Sequence, residues 1–166
     1  MAEVYFDEYE RENAVGDRVS ILQEDAIKLD VRFTRSPYKI ERHGGWIDLR
    51  CAQDTLIMPR KATIVPLGVN LRVPEGYETI IAPRSSTCLK HGILMGNSIG
   101  IIEQDYCGNL DELGMVALNF ADDPVLLEEG LRICQFKVVR AMPDVFFNFV
   151  GDMGSVNRGG YGSTGM

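Results

Sequence analysis

Residues 63–82 read Thr-Ile-Val-Pro-Leu-Gly-Val-Asn-Leu-Arg-Val-Pro-Glu-Gly-Tyr-Glu-Thr-Ile-Ile-Ala, and this stretch decides the fold class. Two short apolar runs, Thr63–Leu71 and Glu78–Ala82, lie on either side of a Pro-Glu-Gly turn signal at residues 74–76. Branched aliphatic side chains favour strands, and proline and glycine favour tight turns. The stretch therefore predicts strands joined by a turn and no amphipathic helix.

The same pattern extends in both directions from this stretch. Similar runs occur at Ile27–Phe33, Trp46–Cys51, Met115–Phe120, Leu131–Val139 and Val145–Val150. Prolines and glycines separate these runs and suit tight turns and bulges. Short strands at this spacing, without long amphipathic helices between them, predict an all-β fold, a jelly-roll-like β-barrel or sandwich.

The two ends of the chain differ in composition from the middle. Residues 1–26 are rich in Glu, Asp and Arg, and we interpret them as an N-terminal extension. Residues 27–150 hold the predicted strands and form one β domain, as expected for a chain of 166 residues. Residues 151–166 form a flexible, glycine-rich C-terminal arm.

Net charge and apolar patterning exclude several classes of protein. The formal net charge is −7, whereas general nucleic-acid binding needs a basic face. No apolar run approaches the ~20 residues that span a bilayer, so we expect no membrane contact. The N-terminus lacks a signal-peptide pattern, and the four cysteines form no Cys-x-x-Cys pair. We therefore expect reduced thiols and a cytoplasmic location.

The last residues of the chain have the composition of a phosphate-binding arm. Residues 157–165 read Asn-Arg-Gly-Gly-Tyr-Gly-Ser-Thr-Gly. Glycines expose backbone N–H groups, Arg158 supplies a cation for phosphate oxygens, and Tyr161 supplies a ring on which a base can stack. The alternative is an ordinary glycine-rich chain end.

Polar groups interrupt the apolar runs at four further places. Asp48 lies inside an apolar strand, where an unpaired carboxylate is costly. Arg84 precedes two serines at a strand end, which suits phosphate oxygens, although such a segment is more often a solvated loop. Glu103 and Asp105 crowd a predicted hairpin, which indicates a general base, a metal site or an ordinary polar tip. Arg132 lies within a strand, where it could equally form an ion pair on the outer face.

Taken in order, five segments resemble the five motifs of the homotrimeric dUTP diphosphatase (dUTPase) family, in its bacterial and phage branch. The resemblance covers residues 27–166. The segments are residues 45–49 (Gly-Trp-Ile-Asp-Leu), 83–86 (Pro-Arg-Ser-Ser), 100–108 (Gly-Ile-Ile-Glu-Gln-Asp-Tyr-Cys-Gly), 130–135 (Gly-Leu-Arg-Ile-Cys-Gln) and 158–165 (Arg-Gly-Gly-Tyr-Gly-Ser-Thr-Gly).

The resemblance implies an enzyme that hydrolyses dUTP to dUMP and pyrophosphate by attack of water on the α-phosphorus. It implies a homotrimer whose active sites lie at subunit interfaces. Mg²⁺ is the implied cofactor, held by the substrate's phosphates and, through water, by Asp48. The implied catalytic residues are Glu103, Asp48 and Asp105.

The resemblance also assigns the substrate contacts. Asn97 and the hairpin backbone would read uracil, Tyr106 would pack on the deoxyribose, and Tyr161 would stack on the base. The phosphates would lie among arginine, hydroxyl and amide side chains. The whole implied set is Arg84, Ser85, Ser86, Asn97, Gly100, Ile102, Tyr106, Arg132, Gln135, Arg158, Tyr161, Gly162, Ser163 and Thr164.

Glu103 departs from the family pattern, which usually has aspartate at this position. The additional methylene moves the carboxylate by about 1 Å, and a misplacement of that size can lower a rate by about 10²-fold. Ser86 also replaces a commoner glycine, and Tyr161 replaces a commoner phenylalanine.

Two other functions remain open on the sequence. The first is a catalytically weak or inactive dUTP-binding sensor that acts through a protein partner, which the Glu103 departure and the acidic extension favour. The second is a dCTP deaminase of the same fold, or a bifunctional relative. In a deaminase the catalytic glutamate would fall near Asn119, and asparagine cannot shuttle the proton.

Overall fold

Residues 26–156, the part of the chain that the computed structural model describes, form twelve strands and one short helix. The all-β prediction is confirmed. The predictions for residues 1–25 and for Arg158, Tyr161, Gly162, Ser163 and Thr164 lie outside the described residues. In chain order the elements are β1 (Asp30–Phe33), β2 (Arg42–His43), β3 (Trp46–Arg50), β4 (Thr55–Ile57), β5 (Ala62–Pro66), β6 (Val69–Arg72), β7 (Tyr77–Pro83), α1 (Ser85–His91), β8 (Ile93–Met95), β9 (Gly100–Ile102), β10 (Gly114–Asn119), β11 (Val125–Leu127) and β12 (Arg132–Arg140).

The strands form antiparallel sheets whose neighbours are mostly distant in sequence. The largest sheet has the order β2-β3-β12-β7-β9, and a second has the order β5-β10-β8. Two further pairs join β1 to β6 and β11 to β4. Within residues 26–156 no helix is long and apolar enough to cross a membrane.

The core lies between the inner faces of these sheets. Strand β10 shows the alternation that places side chains there, because Met115, Ala117 and Asn119 are buried while the residues between them are half-buried. Leu49 on β3 and Phe136 on β12 belong to the same cluster. Since one face of each strand is committed to this core, the functional groups project from the other face.

The stretch at residues 63–82 contains three strands, where the sequence predicted two. The run Thr63–Leu71 is divided into β5 and β6 at Gly68, which has a φ of +72°. This backbone conformation favours glycine, and it lets β6 leave the β5 sheet and pair with β1. Tyr38 fastens the bend by donating a hydrogen bond from its hydroxyl to the Leu67 carbonyl, at 2.8 Å.

The predicted strand at Val145–Val150 is wrong. Residues 141–150 have no regular secondary structure, and Phe146 and Phe149 are 102% and 93% exposed. The run has the composition of a strand, but a strand also needs a neighbour for its backbone groups. No described strand lies beside this segment.

The cysteines are free thiols, as the sequence predicts. Cys51 and Cys134 are buried, whereas Cys88 and Cys107 are half-buried. Burial raises the pKa of the Cys51 thiol to about 12, and it also raises that of Cys134. Both buried thiols therefore stay protonated and act as small apolar core side chains.

The bend at Gly68 supplies a test of the fold. In Gly68→Ala the new Cβ would lie 2.9 Å from the Cβ of Ala52, at a φ of +72°, whereas in Gly76→Ala it would meet nothing within 4 Å at a φ of +78°. We expect Gly76→Ala to lower the free energy of unfolding by about 1–2 kcal/mol, from the left-handed backbone alone. Gly68→Ala should lower the free energy of unfolding by about 1–3 kcal/mol more than Gly76→Ala does, because of overpacking. Urea titrations of the two variants at one protein concentration measure both free energies. Equal losses in the two variants would show that the contact with Ala52 is unimportant.

Candidate active site

Asp48 lies at the centre of a buried charge cluster. Its side chain is 3% exposed, and it lies on β3. One carboxylate oxygen, Oδ1, lies 3.0 Å from Nε of Arg84, and the other, Oδ2, lies 3.1 Å from Nη1 of Arg132. Both arginines therefore neutralise a carboxylate that would be costly to bury alone.

Strand register explains why these side chains meet. In the pairing of β12 with β3 the register shifts between Arg132 and Cys134, so that Gln135 lies opposite Asp48. Simple alternation would place Arg132 and Gln135 on opposite faces. The bulge at Ile133 adds one residue and brings both side chains to the Asp48 side of the sheet.

The segment after β7 brings Arg84 and the two serines to the same place. Arg84 directly follows β7, and its backbone N–H donates to the Ile133 carbonyl at 3.2 Å. Ser85 and Ser86 begin the short helix α1. Thr87, which is buried, donates from its hydroxyl to the same Ile133 carbonyl at 2.6 Å. The bulge thus anchors the helix as well as the strand.

Three residues of the cluster escaped the sequence prediction. Nε2 of His43 lies 3.5 Å from Oδ2 of Asp48. Oε2 of Glu41 lies 2.6 Å from Nη2 of Arg50 and 3.8 Å from Nη1 of Arg132. Partial desolvation raises the pKa of Glu41, but the Arg50 hydrogen bond and nearby cations outweigh it, so the pKa lies below its usual value.

A sequence signal for these residues exists. The Gly-Gly pair at residues 44–45 joins β2 to β3 in a two-residue hairpin, and Gly44 has a φ of +62°. Such a pair between two strand-like runs indicates a hairpin. It places the residues before it beside the strand of Asp48.

The remaining predicted residues form a second group around β8 and β9. Asn97 lies in the turn between these strands, and Glu103 and Asp105 follow β9 at the surface. With the intervening glutamine, these two carboxylates line a shallow, open depression. The hydroxyl of Tyr106 donates to the Glu112 carbonyl at 3.2 Å.

Close packing fixes the start of β9. A Cβ on Gly100 would lie 3.1 Å from the Cβ of Ile81 and 3.2 Å from Cε of Met95. The hairpin backbone, including Ile102, is therefore held against β7 by a glycine.

The two groups are far apart within one chain. Asp48 and Gln135 share a row of the sheet with Ala82 on β7, and Ile102 pairs with Thr79 of β7. Three strand spacings across the sheet and three residues along it separate Asp48 from Ile102 by roughly 17 Å. Glu103 and Asp105, which follow Ile102, therefore lie in a different part of the described chain from Asp48.

The described residues offer no ready-made metal cage. Within residues 26–156 no group of three or more His, Cys, Asp and Glu side chains could hold a metal ion. Each carboxylate oxygen of Asp48 contacts an arginine. This donor set suits a metal ion that arrives on a triphosphate and keeps its own waters, which is the usual mode for Mg²⁺.

Asn119, the position where a deaminase would need its glutamate, has a structural role. It is fully buried, and its side-chain amide donates to the carbonyls of Ile57 at 3.1 Å and Asp123 at 2.8 Å. Its oxygen accepts from the Ala121 N–H at 2.9 Å. These bonds brace the turn after β10, which disfavours the deaminase alternative.

Comparison with known proteins agrees with the five motifs. A sequence model of the dUTPase family matches residues 37–165. The chain is 43% identical over 122 residues to the SPbeta prophage-derived deoxyuridine 5'-triphosphate nucleotidohydrolase of Bacillus subtilis (strain 168), covering 74% of this chain and 84% of the relative. It is 35% identical over 133 residues to the deoxyuridine 5'-triphosphate nucleotidohydrolase of Hydrogenobaculum sp. (strain Y04AAS1), covering 78% and 90%.

A solved structure shows the same fold. The dUTPase of Staphylococcus bacteriophage 80alpha, determined with dUPNHPP, superposes with a TM-score of 0.71 at 21% identity, covering 84% of this chain and 99% of that chain. With the sequence matches, this likeness settles the classification: the chain belongs to the dUTPase family.

Proposed function

We propose that the protein hydrolyses dUTP to dUMP and pyrophosphate. The observation that supports this most directly is the buried cluster of Asp48, Arg84 and Gln135, which joins three of the five family motifs in one place. The reaction removes dUTP from the nucleotide pool and supplies dUMP. A cytoplasmic location, where thiols stay reduced, is part of the proposal.

The phosphates are bound beside the end of β7. Arg84 contacts Asp48 through Nε. The two η nitrogens of Arg84 are not used in this contact, and such a pair of nitrogens can bind two phosphate oxygens together. Ser85 is exposed, Ser86 is half-buried, and both adjoin Arg84 at the start of α1. Gln135 adds an amide donor from β12. Arg132 belongs to the same cluster.

The attacking water is activated by the hairpin carboxylates. Glu103 is the proposed general base, and Asp105 is the neighbouring carboxylate. Both are exposed in the described chain, which suits groups that complete a site on another copy. The water would attack the α-phosphorus with pyrophosphate leaving from the opposite side. Positioning and charge neutralisation supply most of the rate enhancement in such transfers.

Selectivity for deoxyuridine resides in the same hairpin. Asn97, with the backbone at Gly100 and Ile102, would hydrogen-bond the uracil edge. Tyr106 would pack on the deoxyribose and exclude a 2′-hydroxyl; its ring is 41% exposed, and its hydroxyl is anchored to the Glu112 carbonyl. These contacts would distinguish dUTP from UTP and dTTP.

Mg²⁺ is the proposed metal, bound to the substrate's phosphates, where it would neutralise phosphate charge and polarise the phosphoryl oxygens. Asp48 is the residue that would contact it through water. To do so, Asp48 must exchange part of its contact with the arginines for contact with that water. The buried cluster is therefore a resting arrangement that the substrate rearranges.

A homotrimer is the proposed assembly. The roughly 17 Å between Asp48 and Ile102 supports this proposal, because it places the two groups far apart in one chain. A ring in which each copy offers its hairpin to the next solves this, because heterologous contacts close into a ring. The exposed apolar segment at residues 145–150 gives further support, since a neighbouring copy would cover it.

The C-terminal arm is proposed to complete each site. Residues 151–166 form this arm in our division of the chain. Arg158, Ser163 and Thr164 would contact the β- and γ-phosphates, with Gly162 leaving room for them. Tyr161 would stack on uracil. These roles rest on the motif at residues 158–165 alone.

Product analysis tests the proposed reaction. Purified protein with dUTP and Mg²⁺ should release dUMP and pyrophosphate in equal amounts, and a chelator should stop the release. UTP and dTTP should be hydrolysed slowly at the same concentration. Orthophosphate release, or ammonia from dCTP, would contradict the assignment. Tight dUTP binding without turnover would instead favour the sensor alternative.

Glu103→Gln tests the proposed base. The substitution keeps the size of the side chain but removes its basicity, so kcat should fall by about 10²-fold or more. The affinity for a non-hydrolysable dUTP analogue should stay within about threefold, because the amide leaves the phosphate contacts intact. Glu103→Asp is the matched control and should retain measurable turnover. Parental activity in Glu103→Gln would mean that the base is elsewhere, with Asp105 the first candidate.

Mixed oligomers test the shared site. Arg84→Gln and Glu103→Gln change the two groups separately, and each variant alone should be nearly inactive. When the two are unfolded and reassembled together in equal amounts, about a quarter of the sites should combine an intact Arg84 with an intact Glu103 from another copy. Recovered turnover in the mixture, and none in either variant reassembled alone, is the expected result. A mixture as inactive as its components would contradict sharing between copies.

A further inference from the structure

Arg132 differs from Arg84 in how its guanidinium is used. Nη1 of Arg132 lies 3.1 Å from Oδ2 of Asp48 and 3.1 Å from Nε2 of His43. A guanidinium only donates hydrogen bonds, so this contact is a hydrogen bond in the tautomer whose Nε2 carries no hydrogen. The two hydrogens on Nη1 are then both engaged within the chain. A phosphate oxygen could use this nitrogen only by displacing Asp48 or His43.

A second layer holds Arg132 in this orientation. Oε2 of Glu41 lies 3.8 Å from Nη1 of Arg132 and is itself bound by Arg50 at 2.6 Å. Arg50 is anchored in turn, because its Nη1 donates to the Gly130 carbonyl at 2.8 Å. The Glu41 carbonyl also accepts from the backbone N–H of Asp48 at 2.9 Å.

The two arginines also differ in the number of carboxylates near them. On the Arg132 side, Glu41 and Asp48 supply two carboxylates, and His43 lies beside Asp48. Of the contacts described for Arg84, the one carboxylate is Asp48, bound through Nε. Arg132 is therefore flanked by two carboxylates, of which Arg50 also binds Glu41, whereas Arg84 is described with one. This difference in partners favours Arg84 over Arg132 as the phosphate-binding arginine of the cluster.

We propose that Arg132 is a positioning residue that holds the Asp48 carboxylate, and that His43 and Glu41 fix Arg132 in turn. This inference rests on the proposed function and assigns Arg132 a role other than the substrate contact implied by the family motif. His43 and Glu41 belong to none of the five motif segments. Asp48 would keep Arg132 as its fixed partner when substrate draws Arg84 toward phosphate.

The test separates the two arginines by their kinetic signatures. Arg132→Gln should lower kcat by about tenfold or more, because it misplaces Asp48, while the affinity for a non-hydrolysable dUTP analogue stays within about threefold. Arg84→Gln, the matched control, should weaken that affinity by about tenfold or more. Calorimetry gives the affinity, and steady-state assays give kcat and KM. If Arg132→Gln weakens analogue binding as much as Arg84→Gln does, Arg132 is a phosphate ligand and the proposal is wrong.

His43 keeps the proposal testable if Arg132→Gln fails to fold. The His43 side chain is 55% exposed, so His43→Phe should leave the melting temperature unchanged. It should lower kcat by about threefold or more without weakening analogue binding, because the acceptor for Arg132 is lost. His43→Asn retains an acceptor and should restore most of kcat. Equal kcat in His43→Phe and wild type would overturn the role of His43. An inactive wild type that still binds the analogue would refute the proposed hydrolysis instead.

Discussion

The buried carboxylate of Asp48 is the constraint on which the site depends. A charge that is 3% exposed must be paired, and its two oxygens take one arginine each, Arg84 and Arg132. The arginine side chains are 26% and 34% exposed, so solvent screens part of the loss when one is removed, and the cost lies below the ~3–5 kcal/mol of a fully buried pair. The cluster therefore ties together three elements: β3, the end of β7 and the start of β12. Its charges are then in place before any substrate arrives.

The bulge at Ile133 makes this pairing possible. It shifts the register of β12 against β3, so that Gln135 lies opposite Asp48 while Arg132 stays on the same side. The carbonyl of the bulged residue then accepts hydrogen bonds from the backbone of Arg84 and from the hydroxyl of Thr87. One extra residue in a strand thus positions the amide, both arginines and the serines of α1. Bulges often occur next to functional sites for this reason.

β8 and β9 belong to different sheets, and the segment that follows β9 lies far from Asp48 in the described chain. Its carboxylates lie at the end of β7 that is remote from Arg84, and the pairing of Ile102 with Thr79 fixes that distance. Because the two ends of β7 lie apart, the proposed homotrimer would join them from different copies. Such an arrangement lets assembly and catalysis depend on the same contacts. The carboxylates after β9 and the arginine at the end of β7 carry opposite charges, which would favour one orientation of the copies in the proposed homotrimer.

The sequence by itself determined the fold class and the family, and it singled out Asp48, Arg84 and Gln135, which the fold brings together. Alternating runs such as Met115–Phe120 predicted strands correctly, because local alternation directly reflects burial on one face. The motifs pointed to these three residues because charged and amide side chains interrupt otherwise apolar strands there. By contrast, Val145–Val150 was predicted as a strand, since composition reports strand preference but cannot report whether a neighbouring strand exists. Only the tertiary structure decided the bulge at Ile133, because register depends on two strands at once. The roles of Glu41 and His43 were decided in the same way, since they come from hydrogen bonds between residues distant in sequence.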